Sequence, residues 1–159
     1  MYRRILLAYD GSREGRAALR EGALLAHRLD AAVFLLSVVA ESPGVRLGEA
    51  AYAGGVAHAS NTYKDLFEEA MTKLRAKGMR PEGRIVIGEP TQAIAAYARE
   101  VEADLVVVGH RRQSMLERWW SGSTGAYLTD QLDCSVLIAR QSVTDARFAA
   151  EFEGEVQSD

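Results

Sequence analysis

Short apolar runs alternate with longer amphipathic segments along most of this chain. The runs have the length of β-strands and lie at residues 3–9, 31–39, 83–88, 104–109 and 135–140. Between them, small or apolar residues recur three and four positions apart, as at Ala18, Gly22, Leu25 and Leu29, which is the spacing of one helix face. This alternation predicts an α/β fold with a five-stranded parallel sheet, flanked by helices on both faces.

Capping residues indicate where the helices begin. Ser12 can cap the first helix, Ser60 or Asn61 can cap the second, and Pro90 lies in the first turn of the third, a favoured place for proline. Residues 40–59 are rich in Gly and Ala and show no clear period, so they are predicted to form a long connection. Such a connection is either a lid or interaction element, or a plain insertion.

Composition and charge fit one globular domain over residues 1–140, followed by an acidic tail over residues 141–159. The chain has 159 residues and a net charge of −3. The tail alone carries −4, which leaves +1 for the domain and gives no electrostatic footprint for nucleic acid or a membrane surface. The polar tail is compatible with a short helix or with disorder.

The apolar stretches and the cysteine content limit the class of protein further. No apolar stretch is long enough to cross a bilayer, and the apolar run near the N-terminus is too short for a signal peptide, so we expect a cytoplasmic protein. The single cysteine, Cys134, excludes an internal disulfide and a zinc site built from thiolates.

The end of the first predicted strand carries a carboxylate. In an open parallel sheet, ligands bind beyond the carboxyl ends of the strands, where the strand order reverses. Asp10 directly follows the first strand. It can accept hydrogen bonds from sugar hydroxyls or an adenine amino group, or it can cap the turn before the first helix.

The fourth strand ends at Gly109, and a short helix predicted over residues 123–132 follows after a basic stretch. Gly122, Ser123 and Thr124 stand at the start of this helix, whose N–H groups can bind a phosphate or be capped in the ordinary way. The sequence contains no P-loop, no G-x-G-x-x-G after the first strand, no nucleophile elbow, and no histidine spacing typical of a metal site.

The chain contains the stretches "ILLAYDGS", "LLSVV", "GEPTQAI", "ADLVVVGHRR", "SGSTGAYL" and "CSVLIAR". In this order and spacing they resemble the universal stress protein family over residues 3–140. The resemblance implies a Rossmann-like fold of the adenine nucleotide alpha hydrolase type. It also implies an ATP-binding, dimeric regulatory protein of the stress response.

The ATP-binding members of that family carry G-x-x-G, nine residues, then G-[ST]. Here Gly109 is the first glycine, and nine residues, 113–121, separate the basic stretch from Gly122 and Ser123. Arg112 stands where the second glycine would be, and arginine disfavours positive φ and adds both bulk and charge. Its side chain either contacts the phosphates or fills their place.

Carried over position by position, the resemblance implies a nucleotide site but no catalytic residue and no protein-bound metal. Mg²⁺ would be carried on the phosphates of ATP. The implied residues are Ala8, Asp10 and the backbone of Val38 at the adenosine end, Gly109 near the ribose, and Arg112, Gly122, Ser123 and Thr124 facing the phosphates.

The resemblance also implies a homodimer that forms through the last strand, whose edge otherwise needs protection. The pairing residues would be Ser135, Val136, Leu137 and Ile138. Trp119 and Trp120 stand where the family usually has an aliphatic stretch. They either pack under the loop or at the dimer contact, or form a stacking platform for a partner.

Three functions follow from these observations. The first is a nucleotide-binding regulatory dimer, which the spacing from Gly109 to Ser123 and the position of Asp10 favour. The second is a dimer module for protein contacts that binds no nucleotide, which Arg112, the tryptophan pair and the acidic tail favour. The third is a slow ATPase or an adenylating enzyme of related fold, but the sequence shows neither a general base nor the loop that adenylation needs.

Overall fold

The computed structural model describes residues 1–40, 53–109, 128–140 and 143–153. Its strands are β1 (Arg4–Tyr9), β2 (Ala32–Ala40), β3 (Glu82–Gly88), β4 (Leu105–Gly109) and β5 (Ser135–Ala139). Its helices are α1 (Arg13–Arg28), α2 (Ala53–Ala76), α3 (Pro90–Glu100), α4 (Leu128–Gln131) and α5 (Asp145–Glu153). Each predicted strand is present, with ends that differ from the prediction by one residue at most.

The strands form one parallel sheet in the order β3-β2-β1-β4-β5. The central strand β1 pairs with β2, where Arg4 lies opposite Ala32, and with β4, where Ile5 lies opposite Leu105. The chain moves outward from β1 through β2 to β3 and then crosses to β4. The strand order therefore reverses between β1 and β4, and the predicted α/β fold class is confirmed.

Side chains that alternate along the strands build a core on each face of the sheet. Ile5 and Leu7 point towards α1 and α2, while Leu6 points towards α3 and α4. The central strands are buried on both faces, as is typical of parallel sheets covered by helices. The largest fully buried side chains come mainly from these strands and include Ile5, Leu6, Leu7, Leu35, Leu36, Val106, Val107 and Val108.

The start of α2 corrects the predicted boundary of that helix. The helix begins at Ala53, so Ser60 and Asn61 lie inside it and the prediction that one of them is its cap was wrong. The predicted connection over residues 40–59 is wrong for the part from Ala53 onward, which is helical, and residues 41–52 lie outside the described residues. The first turns of α2 combine alanine, which favours helices, with two glycines, which disfavour them, and they show no apolar period, so the sequence pattern does not indicate a helix there.

The acidic tail contains a helix, α5, which packs against α1. Val143, just before this helix, is buried, and Phe148 packs on the core that α1 and α2 cover. Arg20 of α1 donates a hydrogen bond from Nε to the carbonyl oxygen of Val143 over 2.6 Å. Residues 143–153 are therefore fixed to the domain by both packing and hydrogen bonding.

Candidate functional site

The carboxyl ends of β1 and β4 flank the point where the strand order reverses. The chain continues from β1 into Asp10 and the turn before α1, and β4 ends at Gly109. We call this place, defined by Asp10 and Gly109, the β1–β4 crevice. It is where an open α/β sheet characteristically binds its ligand, because the connections on either side lead away from each other.

The turn after β1 holds Asp10 in a fixed position. One carboxylate oxygen, Oδ1, accepts hydrogen bonds from the backbone N–H of Ser12 over 3.0 Å and from its hydroxyl over 2.6 Å. The Ser12 Oγ in turn accepts from the N–H of Gly15 over 2.9 Å and caps α1. Gly11 between them has a φ of 74°, which favours glycine.

Asp10 therefore stabilises the turn, which is one of the two roles predicted for it. A carboxylate offers about four lone-pair positions, so this role is compatible with a contact to a ligand. The prediction of Ser12 as the cap of α1 is confirmed.

Gly109 is required by the close approach of β4 to the first turn of α1. A Cβ atom at this position would lie 3.0 Å from the carbonyl oxygen of Glu14 and 3.2 Å from the N–H nitrogen of Gly15. These neighbours are main-chain atoms, which cannot rotate away as a flexible side chain would. The absence of a side chain at Gly109 thus lets the end of β4 and the start of α1 form one wall of the crevice.

Ala8 and Val38 lie on the α3 side of the sheet, near the carboxyl ends of neighbouring strands. Tyr9 pairs with Ser37, so Val38 is one step beyond that pair and level with Asp10. Both Ala8 and Val38 are half-buried and pack on the edge of the core under α3. Their small apolar side chains form a surface on which a flat ring could stack, and we call this surface the apolar shelf.

The structure thus brings four of the predicted residues to one end of the sheet: Ala8, Asp10, Val38 and Gly109. The other four predicted residues, Arg112, Gly122, Ser123 and Thr124, lie outside the described residues, as do Trp119 and Trp120. Of the short helix predicted over residues 123–132, the structure describes α4, Leu128–Gln131.

The N-terminus of α3 carries an anion of its own. The carboxylate of Glu89 accepts hydrogen bonds from the N–H groups of Thr91 over 3.1 Å and Gln92 over 2.8 Å, and Pro90 follows it at the first helical position. Pro90 was predicted in the first turn of this helix, but Glu89 was not predicted as its cap. Side-chain oxygens therefore accept from one N–H group at the start of α1 and from two at the start of α3, where the charge of Glu89 also opposes the positive end of the helix dipole.

Burial raises the pKa of two groups beside strand ends, Tyr9 at the end of β1 and Cys134 just before β5. It raises the pKa of the Tyr9 phenol, an effect that a hydrogen bond and the positive charge of Arg16 partly offset. Burial also raises the pKa of the Cys134 thiol, and the negative charges of Asp104 and Asp133 act in the same direction. A thiol in this setting stays protonated at neutral pH and is a poor nucleophile.

Within the described ranges, no group of three or more His, Cys, Asp or Glu residues could hold a metal ion. No helix in the same ranges is both long and apolar enough to cross a membrane. The chemistry that the described part of the site offers is therefore an apolar shelf, a carboxylate and a closely packed glycine.

The sequence profile of the universal stress protein family matches residues 1–140. The chain belongs to the universal stress protein family. A universal stress protein of Methanocaldococcus jannaschii is 28% identical to it over 145 residues, which cover 89% of this chain and 84% of the relative. The family predicted from the residues is confirmed, and α5 lies beyond the matched region.

Solved structures of family members have the same fold. One is a universal stress protein in complex with cAMP, with a TM-score of 0.61, 23% identity, and coverage of 87% of this chain and 97% of that one. Another is an Arabidopsis thaliana member with AMP bound, with a TM-score of 0.60, 21% identity, and coverage of 89% and 93%. At these identities the likeness establishes the fold.

Proposed function

We propose that this universal stress protein binds ATP in the β1–β4 crevice and acts as a nucleotide-responsive dimer in the stress response. The observation that carries the proposal is the position of the apolar shelf, Asp10 and Gly109 together at the point where the strand order reverses. The family members of known structure that hold cAMP and AMP support the choice of an adenine nucleotide.

In this proposal the adenine ring stacks on the apolar shelf of Ala8 and Val38. Asp10, fixed by Ser12, accepts a hydrogen bond from a sugar hydroxyl or from the adenine amino group. Gly109 would lie near the ribose, because it ends β4 next to the end of β1 and Asp10, at the point where the strand order reverses.

The phosphates would bind at residues beyond β4. Gly122, Ser123 and Thr124 would supply backbone and hydroxyl donors, and Mg²⁺ would be carried on the phosphates themselves. The carboxylate of Glu89 already occupies the start of α3, which favours the residues around Gly122, where the sequence predicts a helix start, as the anion site. The Arg112 side chain would either contact the phosphates or fill their place.

Isothermal titration of the full chain with ATP and Mg²⁺ tests the proposal, with AMP and cAMP as further ligands. We expect saturable heat with ATP and a rise in melting temperature. The absence of both heat and a thermal shift at millimolar ATP would contradict nucleotide binding. Arg112→Gly then distinguishes two roles of the arginine: affinity falls if Arg112 contacts the phosphates and rises if its side chain blocks them.

The contribution of Asp10 can be separated from its role in the turn. Asp10→Asn keeps an oxygen that can accept from Ser12 but loses the charge, so we expect ATP affinity to fall roughly tenfold, about 1.4 kcal/mol. The matched variant Ser12→Ala removes the cap of α1 and keeps the carboxylate. It should lower stability but reduce ATP affinity less than Asp10→Asn does, because the backbone N–H of residue 12 still donates to the Asp10 carboxylate.

We also propose that two copies pair through β5, along Ser135, Val136, Leu137 and Ile138. The N–H of Ser135 donates towards β4, to the carbonyl oxygen of Asp104 over 3.3 Å. Backbone groups alternate in direction along a strand, so those of Leu137 also face β4 while those of Val136 and Ile138 face outward. The side chains of Val136, Leu137 and Ile138 are half-buried.

A pair of proline variants tests this dimer. Val136→Pro removes an outward N–H and should abolish the dimer in sedimentation velocity, with a smaller loss of fold stability than Leu137→Pro, which removes a bond to β4. A wild-type chain that sediments as a monomer at high micromolar concentration would contradict the proposal, as would a Val136→Pro chain that remains a dimer.

A further inference from the structure

The tail helix α5 lies in a groove between α1 and α2, on the face of the sheet opposite the apolar shelf. A cleft of about 40 Å³ remains under its N-terminal half. The apolar part of its lining is formed by Tyr9, Leu19, Ala70 and Leu74, and Phe148 of α5 lies against it. Charged residues of α1 and α2 also line the cleft, namely Arg16, Arg20, Glu69 and Lys73. We call this surface the α1–α2 groove.

Aromatic side chains hold the middle and the end of α5 in this groove. Phe148 and Phe152 are four positions apart, so they lie on one face of the helix, and their ring centroids are 5.1 Å apart. The ring of Phe152 lies 4.4 Å from that of His27. The Lys77 ammonium, just after α2, lies 5.9 Å and 5.4 Å from the Phe148 and Phe152 centroids.

Opposite charges pair along the same contact. Arg20 Nη1 lies 2.7 Å from Asp145 Oδ1. Arg28 donates from Nε to Glu151 Oε1 over 2.7 Å. Acidic groups of α5 therefore meet basic groups of α1, and the groove is complementary to its occupant in charge.

Val143, which is buried and accepts a hydrogen bond from Arg20, anchors the chain before α5, but the helix itself is held by interactions that are individually weak. Asp145 is 87% exposed in its ion pair and Arg28 is 61% exposed in its own, and exposed ion pairs contribute little. Phe148 and Phe152 are only half-buried. A helix of nine residues is not stable alone in water, so α5 is helical only while it is docked.

The groove belongs to the family domain, whereas its occupant does not. The family match ends at residue 140, and α5 begins at Asp145. We infer that the α1–α2 groove is a docking site for a short acidic helix of a partner protein, with two phenylalanines one turn apart, and that α5 occupies it in cis. The inference does not depend on nucleotide binding, because the groove and the apolar shelf lie on opposite faces of the sheet.

A partner helix must displace α5, which makes the tail a competitive inhibitor of docking. Tethering gives the tail a high local concentration, so the partner competes at a disadvantage until the tail is released. Asp145, Phe148, Glu151 and Phe152 define the pattern that a partner must offer: acid, aromatic, acid, aromatic, at positions i, i+3, i+6 and i+7.

A labelled peptide of residues 143–153 serves as the probe, measured by fluorescence anisotropy. The receptor is the full chain with Phe148→Ala and Phe152→Ala, called the released chain, in which the aromatic contacts that hold α5 in the groove are lost. We expect the peptide to bind this released chain roughly tenfold or more tightly than the wild type, whose tail still occupies the groove. Circular dichroism and thermal melting establish that the released chain is folded.

Charge reversal tests whether the peptide binds in the predicted place. Arg28→Glu in the released chain should weaken peptide binding roughly tenfold, and a peptide with Glu151→Arg should restore it. The control Arg99→Glu makes the same charge change on α3, on the other face of the sheet, and should leave binding unchanged.

Three results would overturn the inference. The first is a folded, released chain that does not bind the peptide at millimolar concentration. The second is an equal weakening of peptide binding by Arg28→Glu and by Arg99→Glu, which would mean that the acidic peptide is attracted nonspecifically to the positive charges of the chain. The third is a wild-type chain that is a dimer while the chain with Phe148→Ala and Phe152→Ala is a monomer. This result would mean that the tail of a second copy, not a partner protein, occupies the groove.

Discussion

Gly109 illustrates, at the residue scale, how the candidate site depends on close packing as well as on side-chain chemistry. The glycine was predicted as part of a nucleotide motif. The structure adds that main-chain atoms of Glu14 and Gly15 lie where a Cβ would stand. The same residue therefore has a structural role that its place in the motif did not indicate.

Gly109→Ala should lower the free energy of unfolding by about 1–2 kcal/mol, because the added methyl group is forced against backbone. Urea denaturation followed by circular dichroism measures the change. Glu14→Ala in the same background should not rescue the loss, since the crowded atoms of Glu14 belong to the main chain. Rescue by Glu14→Ala would contradict this explanation.

The raised pKa of Tyr9 predicts how the stability of the protein depends on pH in the alkaline range. Burial raises the pKa of its phenol above the unfolded value, so the neutral form is favoured in the folded state. The resulting stability is fully present below the unfolded pKa of about 10 and is lost as the pH rises through the folded pKa. The wild type should therefore lose stability more steeply than Tyr9→Phe in urea titrations between roughly pH 9 and 11. Parallel profiles for the two chains would show that Tyr9 ionisation has no part in alkaline unfolding.

At the scale of elements, the sequence predicted some helix ends correctly and missed others. Ser12 was found because serine before an amphipathic segment is a common cap. Glu89 was missed because glutamate is a less usual cap, although the proline that follows it is a second indication of a helix start. The start of α2 was missed because its first turns lack a repeating apolar pattern.

Glu89→Ala should destabilise the protein by about 1 kcal/mol, since two N–H groups at the start of α3 lose their acceptor. Glu89→Gln retains one side-chain oxygen that can accept a hydrogen bond, so it should lower the free energy of unfolding less than Glu89→Ala does. Thermal and urea unfolding of the three chains measure the difference. Equal losses for the two variants would indicate that charge, not hydrogen bonding, stabilises this helix start.

The sheet and its attached tail, at the scale of the whole molecule, should differ in local stability. β1 lies at the centre of the sheet, and Ile5, Leu6 and Leu7 are almost completely buried. α5 is a short peripheral helix with exposed ion pairs. Local opening needs less free energy where few apolar contacts are lost.

Native-state hydrogen exchange should therefore be slowest in β1 and β4 and faster in α5 by roughly a hundredfold or more. Phe148→Ala should raise exchange in α5 further while leaving β1 nearly unchanged. Exchange of α5 at the rate of β1 would show that the tail opens only with the whole domain, and would weaken its proposed role as a displaceable occupant.

The sequence by itself determined the strands, the α/β class and the family. Each strand is a short apolar run bounded by polar residues, so local pattern is enough to place it within one residue. The prediction of Asp10 at a strand end came from the same pattern. It placed the residue correctly but left its role open between a turn and a ligand.

The tertiary structure decided which distant segments meet. The strand order, which places Asp10 beside Gly109, depends on pairing between strands far apart in sequence. The bonds from the N–H groups of Arg3 and Arg4 to the Asp104 carboxylate, 2.7 and 3.1 Å long, arise the same way. The docking of α5 on α1 depends on burial of Phe148 and on charges that match only in three dimensions. Local patterns specify which face of an element is apolar, but the partner of that face is set by the global packing of the chain.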